Sequence, residues 1–371
     1  MIRLLHLSDV HLGKTFRMLG EKGAAQRRAL QAAFSRAIDL AIAERVHLAL
    51  IAGDLFDTPK PSAADVELVV REFRRLDDAG IRVALVAGNH DVAEDGGLGS
   101  ADQLRAASPR LILFGATVEQ RLLPDLDLTV TGRSADPGAG ASALAGWPQT
   151  RITQFAVGLT HGSVFRAGQV EGAGTIHPQE IRELGLDYLA LGDWHSASEI
   201  LPPPTPAWYA GSPELLAYDQ ENAGHVLLVE IPAPGAARVV PTQIGRRRYR
   251  RLEVDAGVDE AALRQLIAEA ADPDLVCDVV VSGLARVDRI IPAEAIERDL
   301  REKFFRLRVQ NHAHLWLDDE MLATLSKDTV LGRFVRVMRE QISTASQADR
   351  PVLEEALQVG VAILRGREVL A

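Results

Sequence analysis

His47-Leu48-Ala49-Leu50-Ile51-Ala52-Gly53-Asp54-Leu55-Phe56-Asp57 is a short apolar run that stops at a glycine and delivers two aspartates. A run of this kind reads as a buried strand with an acidic turn at its carboxyl end. The form recurs on either side of it. Ile2 to Leu7 precedes Asp9-Val10-His11, and Arg82 to Ala87 precedes Gly88-Asn89-His90-Asp91. Phe155 to Thr160 precedes His161-Gly162, and Tyr188 to Leu191 precedes Gly192-Asp193-Trp194-His195. Leu111 to Phe114 and His225 to Ile231 are two further runs. Between the first strands lies Gln26 to Arg45, where Leu30, Phe34, Ile38 and Ile42 recur every fourth residue and mark a helix face; a second helix fits Ser62 to Ala79. Strands alternating with helices predict an α/β domain over residues 1 to about 245.

The 371 residues are 47% hydrophobic and 25% charged, which excludes disorder as the dominant state and suggests two or three structural units. Cys277 is the single cysteine, so neither an intrachain disulfide nor a cysteine-rich zinc site is available and a reducing compartment is expected. The first residues lack a secretory pattern, and no apolar run reaches the roughly 18 residues of a membrane helix. A soluble, cytoplasmic protein is expected. The formal charge of −10 argues against a surface coated for nucleic acid but leaves room for a local basic patch.

In an α/β sheet the ligand crevice lies beyond the carboxyl ends of the strands, so ligands from five segments can converge there. Residues i and i+2 share a face of an extended chain, which pairs Asp9 with His11 and Asp193 with His195. Carboxylate, imidazole and amide donors suit Mn(II), Fe(II) or Zn(II), and two ions explain the number of candidates, with Asp54 as the bridging carboxylate. Such a pair predicts phosphoester hydrolysis. Each motif alone has a plainer reading as a turn; the recurrence after five buried strands favours the site. His6, His47 and His225 lie in or beside apolar strands, His177 precedes Pro178 in a loop, and His312 with His314 lacks a carboxylate partner; all six are expected to be structural.

The set Asp9-x-His11, Gly53-Asp54-x-x-Asp57, Gly88-Asn89-His90-Asp91, His161 and Gly192-x-x-His195 resembles the calcineurin-like metallophosphoesterase superfamily. Within it, His6-Leu7-Ser8-Asp9-Val10-His11-Leu12-Gly13-Lys14 with Gly53 to Asp57 resembles the SbcD-type DNA-repair exonucleases. The resemblance implies a two-sheet α/β/β/α sandwich. It implies one metal held by Asp9, His11, Asp54 and His195, and a second by Asp54, Asn89, His161 and Asp193, most often Mn(II). It further implies that His90 contacts the scissile phosphate and protonates the leaving oxygen, with Asp91 orienting its ring. Asp57 is expected to support the site rather than ligate. The family usually has histidine at the position of Asp193. Two divalent ions give about +4, and three carboxylates with one hydroxide about −4, so weaker attraction for phosphate is expected here, the alternative being a mere change of metal preference.

Arg246, Arg247, Arg248, Arg250 and Arg251 around Tyr249 mark a composition shift. They fit either DNA phosphates or a solvated interdomain strand paired with acids. Arg301, Lys303, Arg306 and Arg308 form a second basic group. Residues 246–317 are expected to be a small α+β cap, with strand Val276 to Val281 and helix Ala293 to Phe305. Residues 318–371 are expected to be a helical tail carrying two apolar stripes, Leu331/Phe334/Val335/Met338/Ile342 and Leu353/Leu357/Val361/Leu364. By resemblance the partners are DNA and an SbcC-type ATPase docked on that tail, with a second copy of the chain as a further candidate. The alternative is that the stripes simply pack on the cap. Two competing functions stand beside a DNA exonuclease: a phosphodiesterase of nucleotides or small molecules, and a catalytically weak scaffold that binds DNA and the ATPase.

Overall fold

The structure is a computed structural model that describes residues 1–92, 98–136, 140–165, 174–217, 220–286, 291–316, 328–346 and 349–364. Parts of the expected loop over 166–178 and of the expected tail, including 318–327, lie outside these residues. The chain falls into two compact units, Met1–Tyr249 and Arg250–Ala371.

The first unit contains β1 (Ile2–Leu7), α1 (Gly23–Ala43), β2 (Leu48–Ala52), α2 (Ala63–Asp78), β3 (Arg82–Val86), α3 (Ala101–Ala107), β4 (Ile112–Leu113), β5 (Glu119–Leu123) and β6 (Leu128–Arg133). It continues through β7 (Phe155–His161), α4 (Pro178–Glu183), β8 (Tyr188–Gly192), β9 (Ser198–Leu201), β10 (Ala207–Tyr209), β11 (His225–Ile231) and β12 (Arg238–Gln243). Two six-stranded sheets result, in the orders β12-β11-β1-β2-β3-β4 and β5-β6-β7-β8-β10-β9. In the first, β1 to β4 are parallel and β11 and β12 antiparallel; in the second, β6, β7, β8 and β10 are parallel and β5 and β9 antiparallel.

Strand alternation sets the layers. Leu4, Leu50 and Val86 of the first sheet meet Val130, Val157 and Ala190 of the second in one buried cluster. Leu5, Leu7, Ile51 and Leu85 point the other way, onto Phe34, Ile38, Val69 and Phe73 of α1 and α2. Truncating Phe34 or Phe73 to alanine would cost about 3–5 kcal/mol. Leu189 and Leu191 cover Ile181 of α4 on the far side of the second sheet. The four layers are the expected α/β/β/α sandwich. Ser62 caps α2 by accepting the Asp65 N–H at 3.2 Å, as its place before the helix suggests. No apolar run marks β5, β9 or β12, which are half-exposed edge strands, and β6 is interrupted by Thr129 and Thr131.

In the second unit, β13 (Arg248–Asp255), β14 (Leu275–Ser282) and β16 (Arg306–Asn311) form a sheet against α5 (Glu260–Glu269) and α6 (Ala293–Leu300), while β15 (Leu284–Arg286) pairs with β17 (His314–Trp316). The helix expected over 293–305 stops at Leu300 and continues as a single 3-10 turn. Two helices follow, α7 (Val330–Thr344) and α8 (Arg350–Leu364). Their stripes pack on each other: Val335 and Met338 are buried with Leu357 and Val361. Among the described residues, no helix is long and apolar enough to cross a membrane.

Candidate metal centre

The carboxyl ends of β1, β2 and β3 meet those of β7 and β8 of the other sheet. Backbone hydrogen bonds lock the first two turns together: Asp9 N–H donates to Gly53 O at 3.1 Å and His11 N–H to Asp54 O at 2.8 Å. Across the layers, Asp193 N–H donates to Asp9 Oδ1 at 3.0 Å. Asp9, His11, Asp54 and Asp193 all have positive φ, at 50°, 51°, 50° and 107°. They are four of the eight such non-glycine residues among those described, so backbone strain is concentrated at this spot. A Cβ on Gly88 would overlap the Asp54 carboxylate, so glycine is required for the close approach of β3.

Potential ligand atoms of Asp9, His11 and His195 lie within 4.8 Å of one another, as do those of Asp9, Asp54 and His161. Asp9 and His11 are buried, as are Asp54 and His161. His161 Nδ1 donates to the Ala52 carbonyl at 2.9 Å, which in a neutral ring leaves a lone pair on Nε2. That nitrogen faces Asn89 Oδ1 at 2.8 Å, Asp54 Oδ2 at 3.7 Å and Asp193 Oδ1 at 3.8 Å. A proton or a cation is needed to hold these atoms together. His11 Nδ1 donates to Asp57 Oδ1 at 3.0 Å, while its buried Nε2 has no hydrogen-bond partner and stands 3.3 Å from Asp54 Oδ2. The orphaned Nε2 of His11 beside a carboxylate, and the Nε2 of His161 facing three side-chain oxygens, fit a divalent cation pair.

The electrostatics agree. Burial pushes the Asp9 carboxyl up to about 6; the Asp54 charge adds to this, and His161, His11 and the Ser8 hydroxyl oppose it. Burial works against charge on His161, but the carboxylates of Asp54, Asp9 and Asp193 outweigh it and raise its pKa. Burial lowers His195 to about 4, helped by His11.

The remaining predicted residues divide. His90 is exposed; its N–H donates to Asp54 Oδ1 at 2.9 Å and its ring stands edge-on to that of His11, with centroids 4.7 Å apart. Asp91 does not orient it. Asp91 Oδ2 accepts the N–H groups of Leu55 at 2.6 Å and Phe56 at 3.3 Å, and Oδ1 accepts that of Gly88 at 2.6 Å. Asp91 is thus a buried clamp between two ligand-bearing turns, its carboxyl raised to about 7 by burial and by Asp54. The carboxylate grouped with His11 and His90 is Asp57, which also takes Lys14 at 3.5 Å.

Arg247 is a second correction. The buried Glu214 accepts the backbone N–H groups of Arg246 and Arg247 at 2.8 and 2.9 Å, drawing this segment inward and leaving Arg247 only 6% exposed. It is not placed to meet a phosphate. Arg246, Arg248, Arg250 and Arg251 are exposed, and Arg251 pairs with Glu253. Four other histidines have partners away from the cluster: His6 bonds Tyr188, His47 accepts the Arg3 N–H, His225 bonds the Asn222 carbonyl and His177 caps α4.

Three polar neighbours were not singled out in the sequence, because none is a ligand type: Ser8, inside the first motif, whose hydroxyl donates to Asp9 at 2.6 Å; Ser163, which donates to Asp193; and Gln220, 2.7 Å from His195. A cleft of about 210 Å³ opens beside the cluster, lined by Asn89, Arg133, His161, Ser163 and Asp193. A larger hollow of about 690 Å³ around Ser100, Arg105 and Arg121 contains none of the clustered residues.

Residues 2–229 match the family described as calcineurin-like phosphoesterase. The chain is 29% identical over 274 residues to the DNA double-strand break repair protein Mre11 of Aeropyrum pernix, covering 69% of this chain and 64% of that one. It is 28% identical over 244 residues to the Mre11 of Sulfurisphaera tokodaii, covering 61% and 59%. It is 28% identical over 272 residues to the SbcD component of the nuclease SbcCD of Bacillus subtilis, covering 62% and 66%. The chain therefore spans less than two thirds of the length of each of these relatives.

Proposed function

The chain belongs to the calcineurin-like phosphoesterase family, and on that footing we propose that it is a metal-dependent DNA nuclease, the exonuclease component of a repair complex with an SbcC-type ATPase. The observation that carries this reading is the pair of imidazoles, His11 and His161, whose Nε2 atoms face carboxylates with no donor between them. The names of the relatives, a DNA double-strand break repair protein and a subunit of a nuclease, support a DNA substrate.

Asp9, His11, Asp54 and His195 would hold one ion, and Asp54, Asn89, His161 and Asp193 the other, with Mn(II) as the ion best suited to this oxygen and nitrogen set. Bound there, two divalent ions lower the pKa of water and take up charge on the phosphoryl oxygens. The protein's own work is orientation. Asp57 holds the His11 ring, the Ala52 carbonyl holds His161, and Asp91 ties the turns after β2 and β3. His90, exposed at the mouth, contacts the scissile phosphate and gives a proton to the leaving sugar oxygen. Exposed Arg246, Arg248, Arg250 and Arg251 contact the DNA backbone. Residues 246–317 act as the cap. The tail from 318 offers the ATPase its outward residues, Val330, Val337 and Val352, since its inner stripes are taken up by each other.

The test is Mn(II)-dependent digestion of end-labelled linear duplex DNA. Cleavage that EDTA and His90→Ala abolish is expected. DNA left intact while small phosphodiesters are hydrolysed would defeat the nuclease reading, and DNA binding without any turnover would favour a scaffold.

A further inference from the structure

Gln220 is oriented by its own oxygen. Oε1 accepts the backbone N–H of Leu216 at 3.0 Å and that of Ala217 at 3.1 Å. Two donors require an oxygen there, so the amide nitrogen is the atom 2.7 Å from His195 Nδ1. An amide nitrogen only donates. His195 Nδ1 therefore accepts, and the neutral ring carries its hydrogen on Nε2. With Nδ1 occupied, Nε2 is the nitrogen left to join Asp9 and His11, the two residues with which His195 is grouped.

This wiring is opposite to that of the other two imidazoles. His11 and His161 each direct Nδ1–H at an oxygen, which leaves the Nε2 lone pair free for a cation. For His195 to present the same lone pair, its hydrogen must sit on Nδ1, against the N–H of Gln220. Relieving that clash means turning the Gln220 amide and losing its two backbone donors. A glutamate of the same shape would have no such conflict: one oxygen would keep Leu216 and Ala217 while the other accepted Nδ1–H.

We propose that Gln220 is a positioning residue that holds His195 in the tautomer unsuited to metal, so that the ion shared with Asp9, His11 and Asp54 is held loosely and exchanges readily. This rests on His195 being a ligand, as in the function proposed above. The experiment is calorimetric titration of Mn(II) into the full chain and its Gln220→Glu variant, with ¹⁵N NMR of the His195 ring in the metal-free proteins. Expected are a pyridine-type Nδ1 in the unaltered chain, a pyrrole-type Nδ1 in Gln220→Glu, and about ten-fold or greater tightening of the weaker Mn(II) site in the variant. Equal or weaker binding by Gln220→Glu, or a pyrrole-type Nδ1 in the unaltered chain, overturns the proposal and leaves the metal site standing. Failure of both proteins to bind Mn(II) overturns the metal site as well.

Discussion

His11 Nδ1 lies 3.0 Å from Asp57 Oδ1, a bond that joins the turn after β1 to the turn after β2 and aims His11 Nε2 at Asp54. The carboxylate that shares this corner with His90 is therefore Asp57, although Asp91 is its neighbour in sequence. Such outer partners set the tautomer and angle of a ligating ring.

Asp57→Ala removes the acceptor and frees the His11 ring. Mn(II) affinity should fall by about 10- to 100-fold with little change in folding. Calorimetry reads this directly, and an unchanged affinity would show that His11 is held by packing alone.

Asp91 and His90 should fail in different ways. Asp91→Asn sets an N–H₂ against a backbone donor and should cost about 1–3 kcal/mol of stability, read by thermal unfolding. His90→Ala should leave the melting temperature unchanged and lower kcat by about 100- to 10,000-fold. Equal stability of Asp91→Asn with a collapsed kcat would restore Asp91 to a role on the His90 ring.

Asp193→His removes one negative charge from the cluster. Higher phosphodiester turnover, tighter metal binding, or both are expected, because the ion pair regains a net positive field for phosphate. No gain in either quantity would defeat the charge argument.

Gly88→Ala drives a methyl group into the Asp54 carboxylate and should abolish binding of at least one ion. Gly140→Ala, which meets no atom within 4 Å, is the control and should behave as the parent protein. Metal content after dialysis distinguishes them; retention of two ions by Gly88→Ala would mean the turn adjusts.

Burial lowers His6 to about 3 in the folded protein, against an ordinary value of 6.5. Between these limits the unfolded chain binds the extra proton, so stability is complete above about 6.5 and is lost as pH falls. The loss from this one group is about 1.4 kcal/mol per pH unit. His6→Gln should flatten a urea-derived stability profile between pH 6 and 4 by about that slope relative to the parent. Parallel profiles would show that His6 is charged or relieved by local opening.

Sequence alone determined the layered α/β class and the convergence of ligand types, because buried parallel strands must be continuous apolar runs and their carboxyl ends must carry the site. Asp9, His11, Asp54, Asn89, His161, Asp193 and His195 became candidates because they lie at or within a few residues of strand ends, while the choice of Asn89 over His90 as a ligand came from the family resemblance. The edge strands β5, β9 and β12 could not, since a half-solvated strand carries no apolar run. Only the tertiary structure decided which partner each ring and carboxylate chooses: Asp57 for His11, backbone amides for Asp91, Gln220 for His195, and burial for Arg247. Hydrogen bonds are settled within a few tenths of an ångström between residues far apart in the chain, such as Asp9 and Asp193, 184 positions apart, and linear order does not encode such distances.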